Sequence, residues 1–138
     1  MTFLAEVYLV IMLHELGHAA AAEIFGLPLS SVDIGAGPHI ASFQFRCVRY
    51  RLRILPWGGS IKLCWLSKRW AKNFSVAAAG PAANLVAALV ASPFSTDFAW
   101  LNALACAGNC IPADGSDGSL MRQYWRGRSK SSLPRPRC

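Results

Sequence analysis

The chain has 138 residues, 54% of them hydrophobic and only 15% charged, with a formal net charge of +7. Soluble domains carry about 25% charged residues, so this composition argues against a surface that faces water throughout. The positive charge does not make a nucleic-acid binder either: all fourteen Lys and Arg fall in two blocks, Arg46–Lys72 and Arg122–Arg137. Two long apolar stretches are left free of basic residues, the pattern of a membrane protein whose cations collect in cytoplasmic loops.

Thr2 to Phe25 is mostly apolar and, at about 1.5 Å per residue, long enough to cross a hydrocarbon core of about 30 Å. A cleaved signal peptide would open on a basic segment; no Lys or Arg precedes this run, and His14, Glu15 and His18 sit in its middle. The loop that follows carries alternating apolar residues, Phe43, Phe45 and Cys47, then Val48, Tyr50, Leu52 and Ile54. The change from odd to even positions predicts a strand signal over 43–55 with a bulge or turn near Cys47–Arg49.

Phe74 to Phe94 is a second uncharged run, rich in Ala and Gly, as suits helices that approach closely in a membrane. Gly80-Pro81 interrupts it, which a membrane helix tolerates when neighbours satisfy the freed groups. A third apolar run from Phe98 ends at Pro112 and gives way to the polar stretch Ala113–Gly118. The expected organisation is one membrane-embedded unit over 1–121, with spans at about 2–25, 74–94 and 98–117 and a cytoplasmic loop at 26–73. Residues 122–138 read as a basic, disordered cytoplasmic tail. The basic blocks put the C-terminus in the cytoplasm and the N-terminus outside, in an α-helical multi-pass protein of the plasma membrane. The five cysteines include no CxxC pair and make neither a disulfide framework nor a thiolate zinc site; Cys106 and Cys110 read as small packing residues.

His14-Glu15-Leu16-Gly17-His18 carries the chemistry. Positions i and i+4 share a helix face, so both imidazoles reach one Zn²⁺, and Glu15 is then beside the metal's water as a general base. Three ionisable side chains within five residues at mid-membrane cost several kcal/mol, about 2.5–3.5 for each charged one, and a metal supplies their reason. Catalytic zinc takes a third protein ligand. His39, Asp114 and Asp117 are the candidates. Counting from the outer ends of their helices, His14 and Asn109 both lie about 18 Å deep, which favours the segment holding the aspartates.

The HELGH run at 14–18 and the stretch Asn109-Cys-Ile-Pro112-Ala-Asp-Gly-Ser-Asp117-Gly118 resemble the two signatures of the site-2 protease family of intramembrane zinc metalloproteases. Gly35-Ala-Gly37-Pro38, Pro56-Trp-Gly58-Gly59 and Ala79-Gly80-Pro81-Ala-Ala-Asn84 are weaker matches in the same order. The resemblance implies a three-transmembrane-helix metalloprotease core with a small cytoplasmic β-sheet between helices 1 and 2. It implies one Zn²⁺ per chain on His14, His18 and Asp117, with Glu15 as base and Asn109 facing the scissile carbonyl. The substrate it implies is a membrane protein with a single transmembrane segment, held as an added strand at the free edge of Phe43–Leu55 and cut in or near that segment. The alternative is a membrane zinc-binding or accessory protein of the same family that does not cleave. Ser116 and Ser119 depart from the family pattern around Asp-Gly, and the 26–72 loop is too short for a PDZ domain, so the implied form is a minimal one. His39 reads as a surface residue and Asn84 as a packing residue. The basic blocks read as charge solvated beside the bilayer, and Trp57, Trp65, Trp70, Tyr124 and Trp125 as its interfacial belt.

The topology is open to cysteine labelling of intact membranes. Cys138 and the 46–72 loop should react from the cytoplasmic side and a Thr96→Cys variant from the outside; the opposite pattern overturns the assignment.

Overall fold

A computed structural model describes residues 3–127. Its order is α1 (Phe3–Ile24), β1 (Leu29–Phe45), β2 (Val48–Leu63), α2 (Trp70–Ala91), α3 (Thr96–Cys110) and α4 (Asp117–Arg126). By length and composition α1 and α2 are apolar enough to cross a membrane. At 15 residues, α3 is about 22 Å long. It starts on Ser95, whose side chain accepts from the Phe98 N–H at 3.4 Å. It stops because Pro112 drives Ile111 into an extended conformation, ψ 129°. The expected span at 98–117 is therefore a helix to Cys110, a non-helical connection, and a new helix that begins at Asp117. Arg122 to Arg126, expected as the start of the tail, lie in α4; the rest of that tail, 128–138, lies outside the described residues.

The helices bury small and polar residues and expose large apolar ones. In α2 the stripe Asn73, Val76, Ala77, Gly80, Pro81, Asn84 and Ala88 is buried, while Leu85, Val86, Leu89 and Val90 point outward. A soluble helix does the reverse. With hydrocarbon as solvent, large side chains gain nothing by turning inward, and association comes from close backbone approach. On α1, Gly17 allows that approach: a Cβ there would stand 2.7 Å from the Ala79 carbonyl oxygen and from the Ala83 side chain.

The sheet is larger than its sequence signal. β1 and β2 pair from Leu29 opposite Leu63 to Phe45 opposite Val48, with Arg46 and Cys47 both at positive φ in the tight turn between them, at the expected change of phase. Both strands also bend halfway, at Gly35 to Pro38 and around Pro56 and Gly58, where the three glycines take positive φ. The bends give Ser31–Ile34 a second neighbour, Arg49–Leu52, with residue numbers rising in step. Four rows result, in the order 59–63, 29–34, 48–53, 39–45. The stretches 29–34 and 59–63 escaped the sequence reading because each is short and bordered by breakers, Pro28 and Gly35 around the first and Gly58-Gly59 at the start of the second. An apolar cluster of Ala21, Ala22, Leu27 and Val76, with Leu29, Ile61 and Leu63 packed on it, joins the sheet to α1 and α2.

Asp33 locks the rows. Its carboxylate accepts from Arg51 Nη2 at 2.6 Å and from Arg53 Nε and Nη2 at 3.1 and 2.9 Å. Burial disfavours the charge, yet these two guanidinium groups outweigh it and hold the Asp33 carboxyl below its ordinary pKa. The stabilisation is thus complete above the unfolded value of about 3.9 and fades as pH falls through the lowered folded value. Asp33→Asn should cost on the order of 2–3 kcal/mol, short of the full cost of breaking a buried pair because both guanidinium groups stay partly solvated. Thermal unfolding in detergent at neutral pH checks this; an unchanged midpoint would show that the lock contributes nothing.

Candidate metal centre

One turn of α1 separates His14 from His18, and both are buried, with Glu15 between them. The α4 N-terminus brings Asp117 to the same point. His14 Nε2 lies 2.8 Å from Asp117 Oδ2, His18 Nε2 3.2 Å from the same oxygen, and the two Nε2 atoms are 3.1 Å apart. Among the described residues these are the only three His, Cys, Asp or Glu side chains grouped closely enough to share a metal ion. Donors held at about 2.0–2.1 Å from one tetrahedral metal stand roughly 3.3 Å apart, so two imidazoles and a carboxylate already have near-ligating spacing.

Asp117 reaches the histidines because the connection after Cys110 is tightly hydrogen-bonded. Ser116 Oγ donates into the Ile111 and Ala113 carbonyl region, at 2.6 and 2.8 Å, and accepts from the Ser119 N–H at 3.2 Å as the cap of α4. Gly118 lies so close against the end of α3 that a Cβ would meet the Ile111 carbonyl oxygen at 2.7 Å. Asp117 is thus the residue immediately after a cap, in a helix first turn, where a carboxylate is electrostatically favoured.

Gly80 of α2 forms the opposite wall. A Cβ built on it would stand 2.7 Å from His14 Nε2 and closer still to His18 Nε2. Any side chain at 80 fills the space on which the ligand atoms converge. Behind the ligands, His18 Nδ1 donates to the Val76 carbonyl at 2.7 Å, which leaves Nε2 its lone pair for a metal. The Gly80 N–H also faces Nδ1, at 3.3 Å, but the shorter carbonyl contact decides the tautomer. Asn84, expected only to pack, contacts His14 Nδ1 at 3.2 Å and is fully buried.

Glu15, His14, His18, Asp117, Asn84 and Asn109 share a cavity of about 440 Å³. Glu15 Oε2 is buried without a hydrogen-bond partner. Gly59 crosses over the same carboxylate: a Cβ there would stand 2.6 Å from Oε1. Asn109, which lines the cavity, donates one amide N–H to the Ala105 carbonyl at 3.0 Å and has a second N–H to offer. Asp114 and His39 are exposed and outside the ligand group. The sheet edge at the cavity is Gly58–Ile61 with Leu63, rather than the expected 43–55. From the sequence, Gly80 and Gly59 figured only in the weaker motif matches and Asn84 only as a packing residue, so their places at the site were not anticipated. The available signal was the four-residue interval between Gly80 and Asn84, which puts both on one face of α2.

Residues 2–98 match the family model for peptidase family M50, and the chain belongs to that family. The matched stretch holds His14, Glu15 and His18; Asp117 lies beyond it. A Fusobacterium nucleatum protein provisionally named a zinc metalloprotease is 39% identical over 66 residues, 46% of this chain and 20% of that protein. The chloroplastic membrane metalloprotease ARASP of Arabidopsis thaliana is 42% identical over 52 residues, 38% of this chain and 12% of that protein. The chain therefore spans a fifth or less of the length of these two relatives. The solved Site-2 protease from Methanocaldococcus jannaschii superposes with a TM-score of 0.60 over 92% of this chain and 55% of that one, at 20% identity. The fold is that of a site-2 protease.

Metal content should follow this geometry. His14→Ala, His18→Ala and Asp117→Ala should each lose most of the zinc that the unaltered protein binds, and Gly80→Ala should do the same while leaving His14, His18 and Asp117 intact. Asp114→Ala should keep it. Elemental analysis of detergent-purified protein checks this, and zinc retained by Gly80→Ala would refute the close-wall argument.

Proposed function

We propose that the chain is an intramembrane zinc metalloendopeptidase that hydrolyses a peptide bond in or near the transmembrane segment of a membrane-protein substrate. The observation that carries the reading is the convergence of His14, His18 and Asp117 with an unpartnered Glu15 carboxylate in one cavity. Membership of family M50 supports it. So do the apolar outward faces of α1 and α2, and α3 serves as a third, shorter crossing whose end lies at the level of the ligands. The N-terminus is outside, and the sheet and C-terminus are cytoplasmic.

Zinc at such a site acts as a Lewis acid that polarises the scissile carbonyl and acidifies water to a pKa of about 7. The chain's own residues do the rest. Glu15 Oε2, with no protein donor to satisfy it, accepts the proton from the attacking water and returns it to the departing amide nitrogen. The free N–H of Asn109 offers a donor to the carbonyl oxygen as charge develops there. A peptide bond within a helix is shielded, so the substrate must be extended. The free edge at Gly59–Leu63 runs along the cavity and suits an extended chain by strand addition. Gly58 and Gly59 leave that chain room beside Glu15.

Glu15→Gln tests this reading. The substitution keeps size and removes the proton acceptor, so zinc content and folding should be retained while cleavage of a verified single-span substrate falls by about 10²–10⁴. A variant that cuts at the wild-type rate overturns the role of Glu15. Wild-type protein that holds zinc and cuts no member of a substrate panel turns the assignment to a non-proteolytic membrane zinc-binding protein.

A further inference from the structure

The two histidines of the site are held differently from behind. His18 Nδ1 faces a backbone carbonyl, an acceptor that cannot become a donor. That ring is fixed with its proton on Nδ1 and its lone pair on Nε2. His14 Nδ1 faces the side-chain amide of Asn84, 3.2 Å from Nδ2. With the amine toward the ring, Nδ1 must accept, so Nε2 carries the proton and donates to Asp117 Oδ2 at 2.8 Å. That tautomer cannot ligate a metal through Nε2.

The other end of the Asn84 side chain sharpens the problem. Asn84 is fully buried, and its Oδ1 has no donor within reach. The carboxamide's two ends have nearly the same shape and exchange by a half-turn about χ2. After the turn Oδ1 accepts from the His14 Nδ1–H, which satisfies the orphaned oxygen and frees the Nε2 lone pair. Asn102 and Asn109 on α3 do not share this freedom, because each donates its amide to the carbonyl four residues back, at 2.9 and 3.0 Å.

We propose that Asn84 is a positioning residue that selects the tautomer of His14: its carbonyl oxygen accepts the Nδ1 proton and so commits Nε2 to the metal. The inference rests on the metal reading above. Asparagine suits the place because its amide can present either end to the ring, and with the metal bound the end that faces Nδ1 is Oδ1. His18 needs no such device.

The test compares zinc affinities of detergent-purified protein by competition against a chromophoric chelator. Asn84→Leu keeps the volume but offers no acceptor, and its zinc affinity should fall by about 10- to 100-fold, as for other losses of a ligand's supporting partner. Asn84→Asp restores an acceptor and should bind within about threefold of wild type, or more tightly. A residue that only packs gives another pattern, with both variants equally weakened or both unchanged. Either of those results overturns the proposal. If Asn84→Leu fails to fold by thermal unfolding, Asn84→Ser and Asn84→Ala take its place, the first keeping a short acceptor and the second none. Equal affinities for that pair overturn the proposal as well. Wild-type protein with no measurable zinc affinity brings down the metal reading itself, an outcome distinct from equal binding by all forms.

Discussion

The distance between α1 and α2 governs the rest of the molecule. Gly17 on α1 and Gly80 on α2 lie at that contact, and a methyl group at either would run into the opposing helix or into the histidine nitrogens. Since lipid offers no driving force to push large side chains together, contact between two membrane helices depends on small residues and complementary polar groups. Here the same closeness makes chemistry possible. It sets Val76 and Asn84 behind the two imidazoles and leaves the space before them too narrow for any side chain from α2. Packing and metal site are one feature, and a substitution that loosens the first opens the second.

Cost points the same way. Glu15, His14, His18, Asn73, Asn84 and Asn102 are all buried in a chain whose exposed surface is rich in Leu, Phe and Trp. Polar groups in hydrocarbon must find partners, and most of these do. Asn73 is paired at both ends with the Ser67 backbone, at 2.8 and 2.9 Å, and it closes the loop into α2. Three side-chain oxygens among them have none: Glu15 Oε2 and Asn84 Oδ1 at the cavity, and Asn102 Oδ1 on α3. Unsatisfied groups beside a ligand set mark where a substrate atom or a turned amide completes the network.

The sequence made the first ligand pair legible because four residues on a helix fix a geometry without knowledge of the fold. The phase change at Cys47 was legible for a similar reason, since strand alternation is local. Asp117 needed the family resemblance: nothing local separates it from Asp114, and only the Ser116 cap with the α3–α4 contact aims one inward and leaves the other exposed. Strands 29–34 and 59–63 were hidden because the Gly and Pro residues beside them serve bends that only a folded-back pairing explains. The edge at Gly59 could not be read at all, since it depends on which of four rows ends beside α1. The role of Asn84 was hidden more deeply, because an asparagine in an apolar helix also fits an interhelical hydrogen bond, and its actual partner is 70 residues away.

The sheet and the site also hold each other in place. Tyr8, two turns before His14, reaches across to the carbonyls of Arg53, at 2.8 Å, and Ile54. Arg53 is in turn fixed by Asp33 and by the Gly37 carbonyl at 2.6 Å. The chain from Arg53 to Gly59 therefore leaves a clamped row and passes through the Pro56–Gly58 bend directly onto Glu15. Where an active-site geometry matters, a misplacement of about 1 Å is enough to count, and this clamp fixes the edge relative to Glu15. The ion pairs of the sheet thus act on the site through position, although no charged group in them lines the cavity that holds His14, His18 and Asp117.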